Sequence, residues 1–534
     1  MRKQIFAFSV AALLSIISLS TTSCGGGSDA PTPGPGGTNT DISGLTNDLE
    51  LDGEDILFDN VNITMWSIVT SPDDVVQDKL IKKFNEEYIG QIKIDVRHIG
   101  HFDFYGNLEN TWANEREAIP DALFMHNEKT GEYSNAEAQK DYIYPLTDEL
   151  LTTAKSKLDF SNVYENIDRV TKINGIRHAI PVDAHGFLTY FRQDIIKKNG
   201  LGFDNNTRFI PKGRTEYETL LKGLSDKAKD GTLLVRNINE GANHAWKVAN
   251  KDTFRASFTQ STDPDGLGAL YANGGTLMDA EQNKVTFHEN KGFEAYLTDQ
   301  VERWNKGWIG ETGTNTAYFG SGELGMFSEG PWWASTTYEK TYNNRELKKE
   351  NAALGVTKED AEDPVYSRPM LAAHSDGWWT LPENESLDSA NKWYGNGHAL
   401  SITRNVKSYT KVAAILEFAN WYTQGQDSEG NYNLAEWASG GHIPAWKNVY
   451  ESEGYKKIAK DSVTLTALGD PADIIAMEPL SYEKTVFDGL TSACNSVIAA
   501  LKGDGGCTVD QAKKILKDTA AGVQEAIDLL KGNF

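Results

Sequence analysis

The hydrophobic pattern of the N-terminal half alternates between the two periods of regular structure. Residues 61–69, VNITMWSIV, predict a strand ending near Trp66-Ser67. Ser71 can cap a helix that has Pro72 in its first turn. Val76, Leu80, Phe84 and Tyr88 then recur at i+4, an amphipathic helix. Ile92, Ile94 and Val96 alternate with Lys93, Asp95 and Arg97, a second strand. Residues 105–117 read as helix and 121–125 as a short buried strand. This β-α-β-α-β order predicts an α/β lobe with a parallel sheet, whose ligands lie beyond the carboxyl ends of the strands. Trp66 and the polar group His126, Asn127, Glu128 and Lys129 fall at such ends.

Farther on, residues 293–306 and 411–422 predict long helices, and Gly274-Gly275 a hairpin turn before 285–287. Thr508-Val509-Asp510-Gln511 is a capping box ahead of a helix bearing Ile515, Thr519, Val523 and Ile527. The stretch 320–333, GSGELGMFSEGPWW, predicts a small-residue helix end, a short apolar strand, and a stop at Glu329-Gly330-Pro331 that displays Trp332 and Trp333. Flat apolar rings beside polar groups suit the face of a sugar. Burial of both rings in a core is the plainer alternative. The letters G-x-G-x-x-G occur here, but no hydrophobic strand precedes them and no phosphate-binding helix follows, which argues against a dinucleotide site.

Composition narrows the function classes. A chain of 534 residues with formal charge −24 is long enough for two or more domains and repels nucleic acid and anionic membrane faces. The three cysteines form no C-x-x-C or Cys/His cluster, so neither a zinc nor an iron–sulfur site is expected, and no cofactor is implied. At the N-terminus Arg2-Lys3, an apolar run over 5–19 and small residues 20–23 precede Cys24. This resembles a bacterial lipoprotein signal in which Cys24 is lipidated, although Thr21 stands where such signals usually have Leu. Residues 25–47 are rich in Gly, Pro, Ser and Thr and read as a tether. The expected location is therefore outside the cytoplasm, on a bacterial membrane. Cys494 and Cys507 flank a Gly-rich turn between two helices and are expected to form a disulfide.

The order of short motifs from about residue 60 to the end resembles the maltose-binding-like family, the extracytoplasmic sugar-binding proteins of ABC transporters. The motifs are the aromatic-ended first strand, Pro120-Asp121, the 145–148 segment PLTD, the 175–181 segment GIRHAIP with His178 at the usual Tyr, and the 188–191 run LTYF. The Gly330-Pro331-Trp332 turn, the 376–382 strand DGWWTLP, the 395–402 segment GNGHALSI and the 440–445 segment GGHIPA complete the set. A polar insertion over 339–368 departs from it.

The resemblance implies an α/β, two-lobe periplasmic-binding-protein-like fold (class II) with a ligand cleft between the lobes. It puts a signal peptide at 1–23, an anchor and linker at 24–55, a first lobe at 56–181 with 397–450, and a second at 183–395 with 452–534. Ligand-binding residues are expected at Trp66, His126, Asn127, Glu128, Asp183, His185, Trp332, Trp333, Trp378, Asn396, His398 and His442. Trp332 matches the family's stacking tryptophan; the role of Trp333, and which of Trp378 and Trp379 faces the cleft, stay open. The implied protein is a monomer that binds without turnover and delivers a sugar or oligosaccharide to a membrane permease. Two other readings are a surface glycan-binding lipoprotein of helical-repeat type and a secreted glycoside hydrolase using Asp183 and Glu329.

Overall fold

The computed structural model describes residues 40–71, 73–135, 140–238, 245–258, 267–272, 274–310, 315–331, 371–375, 393–460, 462–477 and 479–532. Cys24, the 339–368 insertion, Trp332, Trp333 and Trp378 lie outside them. Among the described residues no helix is long and apolar enough to cross a membrane.

The first sheet follows the predicted alternation. Strand β1 (Val61–Ser67) leads to helix α1 (Asp73–Glu87), β2 (Ile92–His98), α2 (His101–Asn114) and β3 (Ala122–His126). Strand β1 pairs in parallel with both β2 and β3, burying Ile63, Met65, Ile92 and Ile94 against Leu80 and Phe84 of α1. The buried face of α1 is rotated from the expected i+4 row. Val76 is only half buried, and Gln77 turns inward, where its Oε1 accepts a 2.6 Å hydrogen bond from Ser67.

The chain then leaves this sheet and comes back. Strand β4 (Ile180–Pro181) belongs to the first sheet, whereas β5 (Asp183–Gly186), two residues on, belongs to a second. Strand β6 (Leu188–Arg192) continues into a three-stranded antiparallel sheet. Helices α3 (Arg214–Lys229), α4 (Lys291–Asn305) and α5 (Asn315–Ser321) follow, then β7 (Met326–Glu329) and β8 (Leu371–Ser375), which flank β6 on either side. The return is as abrupt as the exit: β9 (Trp393–Asn396) lies in the second sheet and β10 (His398–Ile402) in the first. Both β4 and β3 pair antiparallel with β10, so the five-stranded sheet is mixed rather than wholly parallel. Helix α6 (Tyr409–Thr423) packs on it, and β11 (Ile443–Pro444) and β12 (Ile474–Ala476) complete the second sheet in the order β11-β5-β9-β12. Helices α7 (Glu483–Lys502) and α8 (Val509–Leu530) pair at the end of the chain, the latter opened by the predicted Thr508–Gln511 capping box.

The two exchanges between sheets are side by side. Val182 N–H donates to His398 O at 2.8 Å, and Asn127 N–H to Gly397 O at 2.8 Å. Gly397 has to be glycine, because a Cβ there would lie 2.0 Å from the Asp183 carbonyl oxygen.

One sequence expectation is corrected. Cys494 and Cys507 are buried thiols with no disulfide between them. Cys494 packs on α7 with Leu490, Val486 and Tyr394, whereas Cys507 packs with Val301, Val497, Leu501 and Ala512 in a different cluster. Helix α7 continues eight residues past Cys494, to Lys502, before the turn that leads to Cys507.

His178 is wholly buried, and neither of its ring nitrogens meets a hydrogen-bond partner among the described residues. Burial, with Arg404 nearby, lowers its pKa to about 3. The unfolded chain therefore takes up a proton near pH 6.5 that the folded chain refuses until about pH 3. Its contribution to stability is complete above that upper value and is lost as pH falls through the window. Urea denaturation at several pH values should show His178→Phe with a smaller acid slope than the parent, by about 1.4 kcal/mol per pH unit between roughly pH 4 and 6. An unchanged slope would mean that His178 is protonated in the native state.

Candidate functional site

The strand ends and the two exchanges meet at one buried carboxylate, Asp183. Its Oδ1 accepts the His398 backbone N–H at 2.7 Å, and its Oδ2 lies 2.9 Å from His398 Nδ1. The Trp437 indole N–H also donates to Oδ2. His442 Nδ1 stands 3.4 Å from Oδ2 and His185 Nδ1 3.7 Å from Oδ1. One ligand-capable atom from each of Asp183, His185, His398 and His442 lies within 4.8 Å of all the others, and all four residues are buried.

Local sequence explains the convergence. Asp183 and His185 alternate along β5 and so share one face. His398 opens β10 directly after Gly397, and His185 is in register with Asn396 on β9. His442 follows Gly441, which sits at φ +90°, a conformation open to glycine but strained for other residues. Gly441 also packs against Pro331 so closely that a Cβ would lie 2.9 Å from the proline Cβ. The Gly330-Pro331 turn thus abuts the histidine cluster, and the Tyr190 hydroxyl holds it by donating to Gly330 O at 3.0 Å.

A second layer surrounds the four. Asp73, in the first turn of α1, lies 3.1 Å from His442 Nε2 through its Oδ2. The Trp437 ring stacks on His442 at 4.9 Å between centroids. His126 ends β3 with its ring 5.3 Å from that of His398 and 6.3 Å from that of His185, and His101 and Tyr105 of α2 lie beside it. Asn127 and Glu128 follow it, both buried.

Charge is unevenly distributed here. Burial alone would raise the pKa of Asp183, but the facing His398 and His442 rings and the donated hydrogen bonds outweigh it and hold the carboxyl well below the usual range. Burial pushes His185 down to about 4, against its contact with Asp183. His126 is driven well below its ordinary value by burial and then by the neighbouring His398, His101, His185 and Lys129. His442 moves the other way: burial opposes its charge, but Asp73 and Asp183 together raise its pKa. Burial raises Glu329, at the end of β7.

Of the residues picked out by sequence, the structure brings Asp183, His185, His398 and His442 together, with His126 against them and Asn396 paired opposite His185. Trp66 lies in the core of the first sheet, its ring 5.5 Å from the Arg97 guanidinium on the neighbouring strand. Sequence reasoning missed Trp437 and Asp73. Asp73 reads as an ordinary helix-start acid, and Trp437 sits in the 433–440 run NLAEWASG, whose one signal is its place just before the Gly-Gly-His turn. A separate cavity of about 550 Å³, lined by Lys229, Phe254, Arg255, Trp304 and Lys502 among others, shares no residue with the cluster.

Removing the charge of Asp183 leaves three rings and two N–H donors facing an amide. Asp183→Asn should lower unfolding stability by about 3–5 kcal/mol, the cost of breaking a buried, hydrogen-bonded ion pair. Denaturant titration at neutral pH checks this, and a loss below about 1 kcal/mol would show that the carboxylate does not organise the junction.

No protein-family model matches the sequence, and no curated protein sequence matches it. Solved structures do match. An ABC substrate-binding protein from Listeria monocytogenes, in complex with cycloalternan, aligns with a TM-score of 0.62 and 13% identity over 88% of this chain and 99% of its own. The GacH receptor of Streptomyces glaucescens aligns at 0.59 and 14% identity over 89% and 99%. The sugar-binding protein MalE from Xanthomonas citri aligns at 0.59 and 15% identity over 89% and 100%. At such identities the likeness fixes architecture, and the chain has the two-lobe α/β, class II fold of the maltose-binding-like proteins.

Proposed function

We propose that this chain is an extracytoplasmic solute-binding protein that captures a sugar or oligosaccharide between two lobes and passes it to the permease of an ABC transporter. The observation that carries the reading is the convergence of polar side chains from separate strand ends at the exchange between sheets: His126 at the end of β3 and Asn127 after it, His185 on β5, Asn396 on β9 and His398 on β10. Asn127 Oδ1 is buried with no hydrogen-bond partner among the described residues, and His126 Nδ1 has the Glu128 carboxylate 3.5 Å away. An atom like Asn127 Oδ1 costs roughly 1–3 kcal/mol unless a ligand or water meets it. A sugar offers hydroxyls in the required number. The fold's likeness to proteins solved with acarbose and cycloalternan supports the same class of ligand.

In this reading the first lobe comprises 56–181 with 397–450 and the second 183–395 with 452–534. Closure is stabilised because the ligand touches both lobes and so favours the closed state by its differential affinity. Trp332, directly after Pro331 on Gly441, stacks on the sugar, with Trp333 and Trp378 as further aromatic partners. Glu128 completes the polar set. Lipidation of Cys24 and the tether to residue 55 hold the protein, as a monomer, at the outer face of a membrane. Asp183, nominated above as a hydrolytic carboxylate, has its oxygens engaged by His398 and Trp437, which favours binding over hydrolysis.

Thermal denaturation with a panel of mono- and oligosaccharides tests the reading. A matching sugar should raise Tm, since a ligand of the folded state adds RT ln(1 + [L]/Kd), and the sugar should be recovered intact. Release of reducing ends over hours would replace the proposal with a glycoside hydrolase. Trp332→Ala should keep the fold and weaken binding by roughly 1–3 kcal/mol, measured by calorimetry. A folded variant with parental affinity would place that ring elsewhere than on the sugar.

A further inference from the structure

We infer that Asp183, His185, His398 and His442 form a binding site for a divalent transition metal of the zinc class, buried where the chain passes between its two sheets. The four donor atoms lie within 4.8 Å of one another. The three carboxylate–imidazole separations are 2.9, 3.4 and 3.7 Å, to the Nδ1 atoms of His398, His442 and His185. A tetrahedral site with bonds of about 2.0–2.1 Å has donor–donor edges of roughly 3.3–3.4 Å. These three separations, two to Oδ2 and one to Oδ1, bracket that value, and the four donors, which spread over as much as 4.8 Å, would draw together around an ion.

The orientation of His442 points the same way. Its Nε2 is committed to Asp73 at 3.1 Å, so with Nε2–H donating to that carboxylate the neutral ring aims the lone pair of Nδ1 at a second carboxylate oxygen. Two lone pairs facing each other at 3.4 Å repel, and either a proton on Nδ1 or a metal ion between the two atoms relieves that repulsion. A metal ion would meet both. Asp73 then plays the part that an outer carboxylate commonly plays for a metal-bound imidazole, fixing its tautomer and direction.

The donor set chooses the metal. Three imidazoles and one carboxylate suit zinc, cobalt or nickel, whereas calcium and magnesium take six or more oxygens. Four protein donors leave no open position, as in structural rather than catalytic zinc sites. The charges balance: a divalent ion offsets Asp183 and Asp73, with three neutral rings. The donors come from three separate passes of the chain, at β5, at the start of β10 and just before β11, so a bound ion would tie those passes together. This inference does not rest on the sugar reading, and its test contains no sugar.

The experiment uses the full-length protein, stripped with a chelator and dialysed. Titration with Co(II) alone should give one equivalent with the intense visible absorption of a tetrahedral site. Zn(II) should displace it one for one and raise Tm, while Mg(II) and Ca(II) should do neither. His185→Gln and His442→Gln should each lower Co(II) affinity at least a hundredfold with circular dichroism unchanged; His288→Gln, outside the cluster, should bind as the parent does. X-ray absorption of the zinc-loaded parent, which needs no variant to fold, should show four nitrogen or oxygen neighbours with the outer-shell scattering of three imidazoles. Absence of stoichiometric Co(II) and Zn(II) binding, retention of affinity in folded His185→Gln and His442→Gln, or a six-coordinate spectrum without imidazole scattering would each overturn the assignment.

Discussion

A buried carboxylate is tolerable only if its charge is met, and in this chain the partners of Asp183 hold the junction together. A lone ionised carboxylate out of water would cost several kcal/mol even after relaxation. Asp183 meets that cost with a backbone N–H, an indole N–H and three imidazoles supplied by segments far apart in sequence. Satisfying one charge therefore requires β5, β10 and the turn before β11 to arrive together. Placement of those three segments in turn sets where the first sheet hands the chain to the second.

Other buried charges set the flanks of the same junction. Arg192, wholly buried on β6, pairs with Asp194 at 2.8 Å, and Arg236 reaches the same carboxylate at 3.0 Å. Arg192 Nη1 also donates to Phe319 O at 2.6 Å, which fixes the end of α5 and so the approach to β7 and its Gly-Pro turn. On the other side, Lys129, just past β3, is ion-paired with Glu483 at the start of α7, and Lys140 with Glu132. Asn135 Nδ2 donates to Ser481 O at 3.0 Å beside them. Because an ion pair of this kind is costly to break but gains little over an apolar contact, it specifies position more than it adds stability. Here it specifies where the C-terminal helix pair docks against the loop after β3.

The fold was largely legible in the sequence because its signals are local. The alternation in 92–97 and the Thr508–Gln511 capping box each depend on neighbours within a few residues, and the described elements follow them; Pro72 of the expected Ser71-Pro72 helix start lies outside the described residues. The histidine cluster was legible only in part. Asp183, His185, His398 and His442 could be nominated through the order of family motifs, but nothing local says that four residues spread over 260 positions share one point. A metal site was not expected from the sequence because metal motifs are read as short spacings, and a cluster drawn from three chain passes has none. Asp73 and Trp437 escaped for the same reason: one is a normal helix-start acid and the other an apolar residue in a short helical run. The disulfide expectation failed because closeness in sequence was taken for closeness in space, whereas the two thiols pack in different apolar clusters.

The arrangement around Asp183 also bears on how two lobes could move without unfolding. The backbone hydrogen bonds that tie the exchanges together, Val182 to His398, Asn127 to Gly397 and Ala445 to Val182, lie within the junction itself. Rotation of one lobe about this seam need not break them. Hinges of this kind take up motion in a few residues at the ends of elements. Val182 and Gly397 occupy positions of that kind, each a single residue between a strand of one sheet and a strand of the other. At Gly397 the missing side chain that lets the two passes touch also leaves the backbone the widest range of dihedral angles. Close packing and freedom to turn at the seam thus come from the same residue, while the side-chain carboxylate of Asp183, whose own carbonyl makes that backbone contact, keeps the passes in register.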